Sequence, residues 1–437
     1  MKNRIIQIIS IFREFIRSPY FGFVQGHSYL SKNELFQLKE FVGESNVSII
    51  EEFESEFAKL IGNGEAISYA TGRMGFFDLM RILGIRNGDE VIILGATCSV
   101  MVNAVLRTGA TPVFSDIDPD TFGSSTNSIQ HCITERTRMI VAQHSFGIPC
   151  DIIPIVELAR SKNIFLLEDC ALTLGSKVDG IVVGNFGDAA LFSTDHSKPI
   201  NTLTGGLIYT RNAELANYLR HSQISCPDLP KLKQQALWRR LLIERKYCIS
   251  ERYGRMGMID LFKLLKNKLF HTQDPFLSDE CGVRLYSDYP YPAKLPAFLA
   301  ALGIMEVKRW STVMSERKEL LRILLEVANS EPTNFRVPKA YTNEHFKIIP
   351  LRFAWSQPDG ANVRNMISDF VHTPWTWFMQ PIIATNEPLE SFGYHSGTCP
   401  ISERIGPDMI NVPCNIDYNK FTLILKLLQK AITPIEK

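Results

Sequence analysis

At 437 residues the chain exceeds what one ordinary hydrophobic core serves, so two domains are expected. Hydrophobic residues make up 45% and charged residues 21%, a globular balance, and a formal net charge of +1 gives no electrostatic case for a nucleic-acid partner. Nine cysteines without a C-x-x-C pair fit no disulfide framework; no metal site is expected, and a reducing cytoplasm is the simplest setting.

In residues 1–17, Ile5, Ile8, Ile9, Phe12 and Ile16 fall on one helical face, with Arg4, Arg13 and Arg17 elsewhere. Arg13 and Glu14 interrupt the apolar run and no small-residue cleavage site follows, which argues against a signal peptide. Packing on its own or a partner subunit is favoured over a membrane-surface helix, and no run of 18 apolar residues predicts a transmembrane span. From residue 65 onward apolar runs at 66–70, 91–94, 112–117, 139–142 and 164–167 read as strands. They alternate with helical stretches at 72–83, 100–107, 128–134 and 152–159. This alternation predicts an α/β fold, a mostly parallel sheet wrapped by helices, with ligands gathered at the carboxyl ends of the strands. Thr71-Gly72, Thr97-Cys98, His144-Ser145, Asp169 and Ser193 all fall at such ends.

Two further strands, 189–192 and 206–209, flank a polar loop carrying Lys198. Beyond Thr210 a basic amphipathic stretch predicts a helical insertion at about 231–290. Helices at 295–307 and 312–329, a strand at 348–355 and a closing helix at 418–432 then form a smaller C-terminal α+β domain. The expected division is a helical extension over 1–45, a large domain over 46–290 and a small domain over 291–437.

An amine on a loop and a carboxylate at a strand end are what pyridoxal 5'-phosphate (PLP) requires. Lys198 would form the Schiff base, and Asp169, ending Ile164-Phe-Leu-Leu-Glu-Asp169, would keep the pyridine nitrogen protonated. Taken singly, each has an ordinary alternative: a solvated loop lysine and a helix N-cap. Gly72 opens a helix directly after a strand and so aims backbone N–H groups at a bound anion, a phosphate seat to which Arg73 adds a fork and Ser193 a hydroxyl.

An ordered set of segments surrounds these residues. It comprises Ala66-Ile-Ser-Tyr-Ala-Thr-Gly72, Gly88-Asp-Glu-Val-Ile-Ile-Leu-Gly-Ala-Thr-Cys98, Gly109-Ala-Thr-Pro-Val-Phe-Ser-Asp-Ile-Asp118 and His144-Ser-Phe-Gly147. Glu168-Asp-Cys-Ala171, Gly184-Asn-Phe-Gly187, Gly205-Gly206, Leu299-Ala-Ala-Leu-Gly303, Cys399-Pro-Ile-Ser-Glu403 and Val412-Pro413 complete it. In this order the chain resembles the DegT/StrS-type PLP-dependent sugar aminotransferases over nearly its full length. The resemblance implies a fold type I homodimer that converts a keto-sugar, nucleotide-linked, to an amino-sugar, with glutamate as donor, in cell-surface polysaccharide or secondary-metabolite biosynthesis. It further implies that Lys198 is the Schiff-base lysine and proton shuttle and that Asp169 meets the pyridinium nitrogen. Gly72, Arg73, Met74 and Ser193 would hold the phosphate. Cys98 stands where the family stacks an aromatic ring on the cofactor, and Leu172 where it has glutamine. A related dehydratase branch has histidine at the lysine position, so Lys198 favours transamination; a sugar dehydratase and a catalytically silent sugar-nucleotide-binding relative are the alternatives. His196 reads as structural. Lys231, Lys233, Arg239, Arg240, Arg245 and Lys246 are read as either a seat for a polar substrate tail or a solvated helix face, and the aromatic segment 373–378 as either an exposed contact surface or small-domain core.

Overall fold

Runs such as Glu90–Leu94 and Gly206–Thr210 are buried along their whole length, which requires helices on both faces of a sheet. The computed structural model describes residues 24, 26–249, 251–253, 255–256, 258–259, 262–263, 277, 282–329, 337–368 and 377–414. Seven strands form the central sheet: β1 (Glu65–Tyr69), β2 (Glu90–Leu94), β3 (Thr111–Ser115), β4 (Thr137–Gln143), β5 (Phe165–Asp169), β6 (Ala189–Ser193) and β7 (Gly206–Thr210). Their order is β1-β7-β6-β5-β4-β2-β3. β7 alone runs opposite to the other six strands, so the expected mostly parallel sheet is observed.

Around the sheet lie α1 (Lys32–Glu40), α2 (Val47–Lys59), α3 (Gly72–Ile82), α4 (Ser99–Thr108), α5 (Thr126–Cys132), α6 (Ile152–Lys162) and α7 (Ala213–Ser225). Helix α3 begins at Gly72 because the Thr71 hydroxyl accepts the Met74 N–H at 3.3 Å, an N-cap at the end of a buried strand. Helix α8 (Lys231–Tyr247) opens the predicted insertion at about 231–290, of which residues 264–276 and 278–281 lie outside the described residues. Residues 1–17 and the expected closing helix at 418–432 lie outside the described residues, and among the described residues no helix is long and apolar enough to cross a membrane.

The expected pair of helices at 295–307 and 312–329 is a single helix, α9 (Ala297–Asn329). The polar stretch Lys308-Arg-Trp-Ser-Thr312 suggests a break, but Trp310 and Val313 are buried and carry the apolar stripe through it. The first part of α9 packs on the sheet core, whereas Leu320, Leu321, Leu324 and Ala328 belong to a second core. That second core is built on the antiparallel pair β8 (Arg352–Ser356) and β9 (Met409–Pro413), and Phe146, Ile148 and Leu172 reach into it from the large sheet's side. The predicted strand at 348–355 therefore starts later, at Arg352.

Candidate active site

The carboxyl end of β5 presents two acidic residues whose side chains leave opposite faces of the strand. Glu168 is held by structure. Its Oε1 accepts the N–H groups of Phe186 (2.7 Å) and Gly187 (2.8 Å), and its Oε2 accepts that of Gly184 (2.8 Å). The same Oε2 lies 3.2 Å from Nε2 of buried His144. Because Nδ1 of His144 accepts the Cys150 N–H at 3.0 Å, the imidazole proton sits on Nε2, facing Glu168. Cys170 completes a buried group whose ligand atoms lie within 4.8 Å of one another. Those of Glu168 and His144 are engaged in the network, which ties the 184–187 turn to β5.

Asp169 is in a different position. It is 4% exposed, and its Oδ1 accepts the Ala171 N–H at 2.9 Å. Burial pushes its carboxyl above the ordinary aspartate range; the Ala171 N–H and the positive charge of Lys198 pull the other way without cancelling it. Gln143, opposite Asp169 in the β4–β5 register, donates to the Ala96 carbonyl at 2.9 Å. This anchors the turn leading to Cys98, a half-buried cysteine outside any disulfide, immediately before α4.

Lys198 follows β6 in a tight turn closed by its own N–H donating to the Asp195 carbonyl at 3.0 Å. The wider loop is laced by Thr202 N–H on Thr194 O (2.8 Å) and by their two hydroxyls at 2.7 Å. Nζ of Lys198 stands 4.9 Å from the ring centroid of Trp377, and the Arg352 guanidinium lies 4.5 Å from the same centroid. Trp377 and Phe378 are buried in the second core, so the reading of segment 373–378 as an exposed contact surface is corrected for these two residues; 373–376 lie outside the described residues. The contact between Lys198 and Trp377 joins residues far apart in the chain and has no local sequence signal.

Gly72 and Ser193 come together. A Cβ placed on Gly72 would stand 3.7 Å from Cβ of Ser193, so the start of α3 rests against the end of β6. Gly206 makes that approach feasible, since a Cβ there would fall 2.3 Å from Cα of Gly72. The N–H groups of Gly72 and Arg73 precede the first intrahelical acceptor, and the helix adds roughly half a positive charge. Met74 is buried and gives its N–H to Thr71. The Arg73 guanidinium does not extend the seat as a fork: it donates to the Leu277 carbonyl at 2.5 Å, while the Arg73 carbonyl accepts the Tyr291 hydroxyl at 3.2 Å. Together these groups can seat an anion at the start of α3 and a basic ring against Asp169, with an amine nearby.

Most of α8's basic residues are turned inward or engaged. Arg240 is 4% exposed and its Nε donates to Oε1 of Glu244 at 2.7 Å; Arg245 donates to the Leu30 carbonyl at 2.8 Å; Lys233 is buried. The substrate-tail reading is therefore withdrawn for Arg240, whose charge is committed inside the fold, while Arg239 and Lys246 are exposed. The i,i+4 spacing of Arg240 and Glu244 is a legible pair signal that composition alone obscured.

The chain matches the DegT/DnrJ/EryC1/StrS aminotransferase family over residues 43–423. It is similar to the GDP-perosamine synthase of Escherichia coli O157:H7, 39% identical over 191 residues covering 42% of this chain and 52% of that protein. It is also similar to the UDP-N-acetyl-3-dehydro-alpha-D-glucosamine 3-aminotransferase of Acidithiobacillus ferrooxidans, 38% identical over 168 residues covering 38% and 46%. The chain thus spans about half the length of these curated relatives. Its fold resembles the crystal structure of the aminotransferase TlmJ from Streptoalloteichus hindustanus, with a TM-score of 0.68 and 20% identity over 94% of this chain and 98% of that one. A match that runs through the strand-end carboxylates, the lysine loop and the second core establishes that the chain belongs to the DegT/DnrJ/EryC1/StrS aminotransferase family.

Proposed function

We propose that this protein is a PLP-dependent aminotransferase that converts the ketone of a nucleotide-linked sugar to an amine, with glutamate as amino donor. The observation that carries the reading is Asp169, a buried carboxyl left short of positive partners, within electrostatic reach of the Lys198 amine and on the strand paired with β6. The glycine-built start of α3 beside Ser193 supplies the complementary anion seat. Bound PLP would supply an electron sink in its protonated ring. Asp169 would keep a proton on the ring nitrogen. The backbone N–H groups of Gly72 and Arg73 and the Ser193 hydroxyl would hold the phosphate, with Met74, its N–H given to Thr71, packed beneath, and Cys98 would stand beside the ring. Lys198 Nζ takes the proton from the α-carbon of the amino donor, a role worth about 10²–10⁴-fold in rate.

The nucleotide-sugar class is supported by the names of the relatives, which act on GDP- and UDP-linked sugars; glutamate rests on the family resemblance. The proposal includes a homodimer in the cytoplasm, and the eight described cysteines, all free thiols, suit a reducing compartment. The test is the absorbance of the purified full-length protein loaded with PLP, recorded before and after glutamate, followed by mass analysis of a nucleotide-linked keto-sugar incubated with it. A glutamate-dependent spectral change and a sugar product carrying an amine are expected. Loss of water from the sugar without amination would move the reading to a dehydratase, and a protein that takes up no PLP would end it.

A further inference from the structure

The loop that carries Lys198 is gripped from outside the sheet core. His196, two residues before Lys198 and within the turn closed by the Lys198 N–H, places Nδ1 3.6 Å from Oε1 of Glu244 and Nε2 3.5 Å from Oδ1 of Asp195. Glu244 belongs to α8 and is fully buried together with the Arg240 that bonds it. On the far side of the loop, Nε2 of His27 lies 2.8 Å from the Asn201 carbonyl. His27, Arg240 and His196 all face Glu244, and Asp195, Glu244 and Arg240 face His196.

We propose that Glu244 and His196 are positioning residues for Lys198: through this ion pair the insertion helix fixes the turn that carries the amine, and so sets where the amine stands beside Trp377. The inference rests on the reading of Lys198 as the reactive lysine. A buried charge pair contributes little net stability compared with well-packed apolar residues of the same volume, so what this group secures is geometry. Burial pushes the Glu244 carboxyl up, but contact with His196 and the charges of Arg240, His196 and His27 hold it down at about 2. Burial likewise opposes charge on His196, yet Asp195 and Glu244 raise it above the ordinary histidine value. The pair loses its cation as the pH rises through the raised value of His196.

The experiment follows attachment of PLP to Lys198 in the full-length protein freed of cofactor, trapped with borohydride at successive times across a pH series and located by peptide mass spectrometry. Wild type should attach at Lys198 with a pH inflection set by His196. Glu244→Gln should slow attachment at neutral pH by roughly tenfold or more and move the inflection down by roughly one unit or more. His196→Gln should slow it similarly and erase the inflection, and the double variant should be no slower than either alone. Gln235→Ala, on the exposed face of the same helix, should match wild type. Folded Glu244→Gln and His196→Gln proteins with wild-type rate and profile at Lys198 would overturn the positioning role, as would additive slowing in the double variant. Should Glu244→Gln fail to fold, an unchanged profile in His196→Gln alone is sufficient to reject it. Attachment of wild type at another lysine would remove the reactive-lysine reading itself, a result distinct from the others.

Discussion

Two buried carboxylates flank the lysine loop, and their surroundings have opposite characters. At the end of β5, Asp169 has one backbone N–H and the charges of Lys198 and His144, too little to offset burial, and its carboxyl is raised. On α8, Glu244 has Arg240, His196 and His27, and is held at about 2. Equal burial thus gives opposite proton affinities, and the difference is set by the number of cationic neighbours. A carboxyl left short of positive charge is suited to receive a cationic group from outside the chain; one already saturated is suited to hold its own chain in place. On the proposed reading, the first region binds ligand and the second supports it.

Removing the reactive groups breaks the comparison most severely. Lys198→Ala should abolish turnover and Asp169→Asn should lower kcat by about 10²–10⁴-fold, with bound PLP still detectable by absorbance in the Asp169→Asn protein; near wild-type kcat there would show that another residue meets the ring nitrogen. On the supporting side, Arg240→Ala leaves Glu244 buried without its nearest cation and should cost roughly 3–5 kcal/mol of stability in urea unfolding. Gly206→Ala forces a methyl group 2.3 Å from Cα of Gly72. A loss of about 1–3 kcal/mol and weaker PLP retention are expected, and unchanged retention would detach the glycine contact from the anion seat.

The pH dependence sharpens the contrast. The stability contributed by Glu244 is complete above its ordinary value of 4.5 and is lost as the pH falls toward about 2. That contributed by Asp169 in the cofactor-free protein has the opposite sign: complete below its ordinary value of 3.8, it is lost as the pH rises through its raised folded value. Urea midpoints measured against pH should lose the fall toward low pH in Glu244→Gln and, in Asp169→Asn, the fall that begins as the pH rises past 3.8; the same change in both variants would erase the distinction. The smallest effect belongs to Arg239→Glu, on the exposed face of α8, which should change stability by no more than about 0.5 kcal/mol.

The strand-end residues were legible because each sits where an apolar run stops: Gly72, Asp169 and Ser193 follow buried strands, and a parallel sheet brings such ends together. Their neighbours were legible only in part. Arg73 was readable as a phosphate fork by residue type, yet its guanidinium reaches Leu277, a partner 204 positions away that no local pattern indicates. The basic run on α8 looked like a solvated or ligand-facing surface because composition does not separate Arg239 from Arg240, one step apart and on different faces of the helix. His196 was read as structural from its place beside Lys198, but the partner that gives it a role lies on an insertion whose docking depends on tertiary packing. The continuity of α9 was obscured for the same reason: burial of Trp310 outweighs a polar pentapeptide.

Helix α9 has a mechanical consequence. Its 33 residues make a rod about 50 Å long, at 1.5 Å per residue, rooted at one end in the sheet core and at the other in the second core. At the rooted end Gly303 lies flush against Phe53, where a Cβ would stand 2.4 Å from the ring. The rod is thus an axle seated in a fitted bearing. The smaller core, which holds Trp377, is tied to the sheet along this axle and again through Phe146, whose carbonyl accepts the N–H groups of Leu351 and Arg352. A methyl group at position 303 would have to push the Phe53 ring aside or lift the axle from its seat on the sheet core.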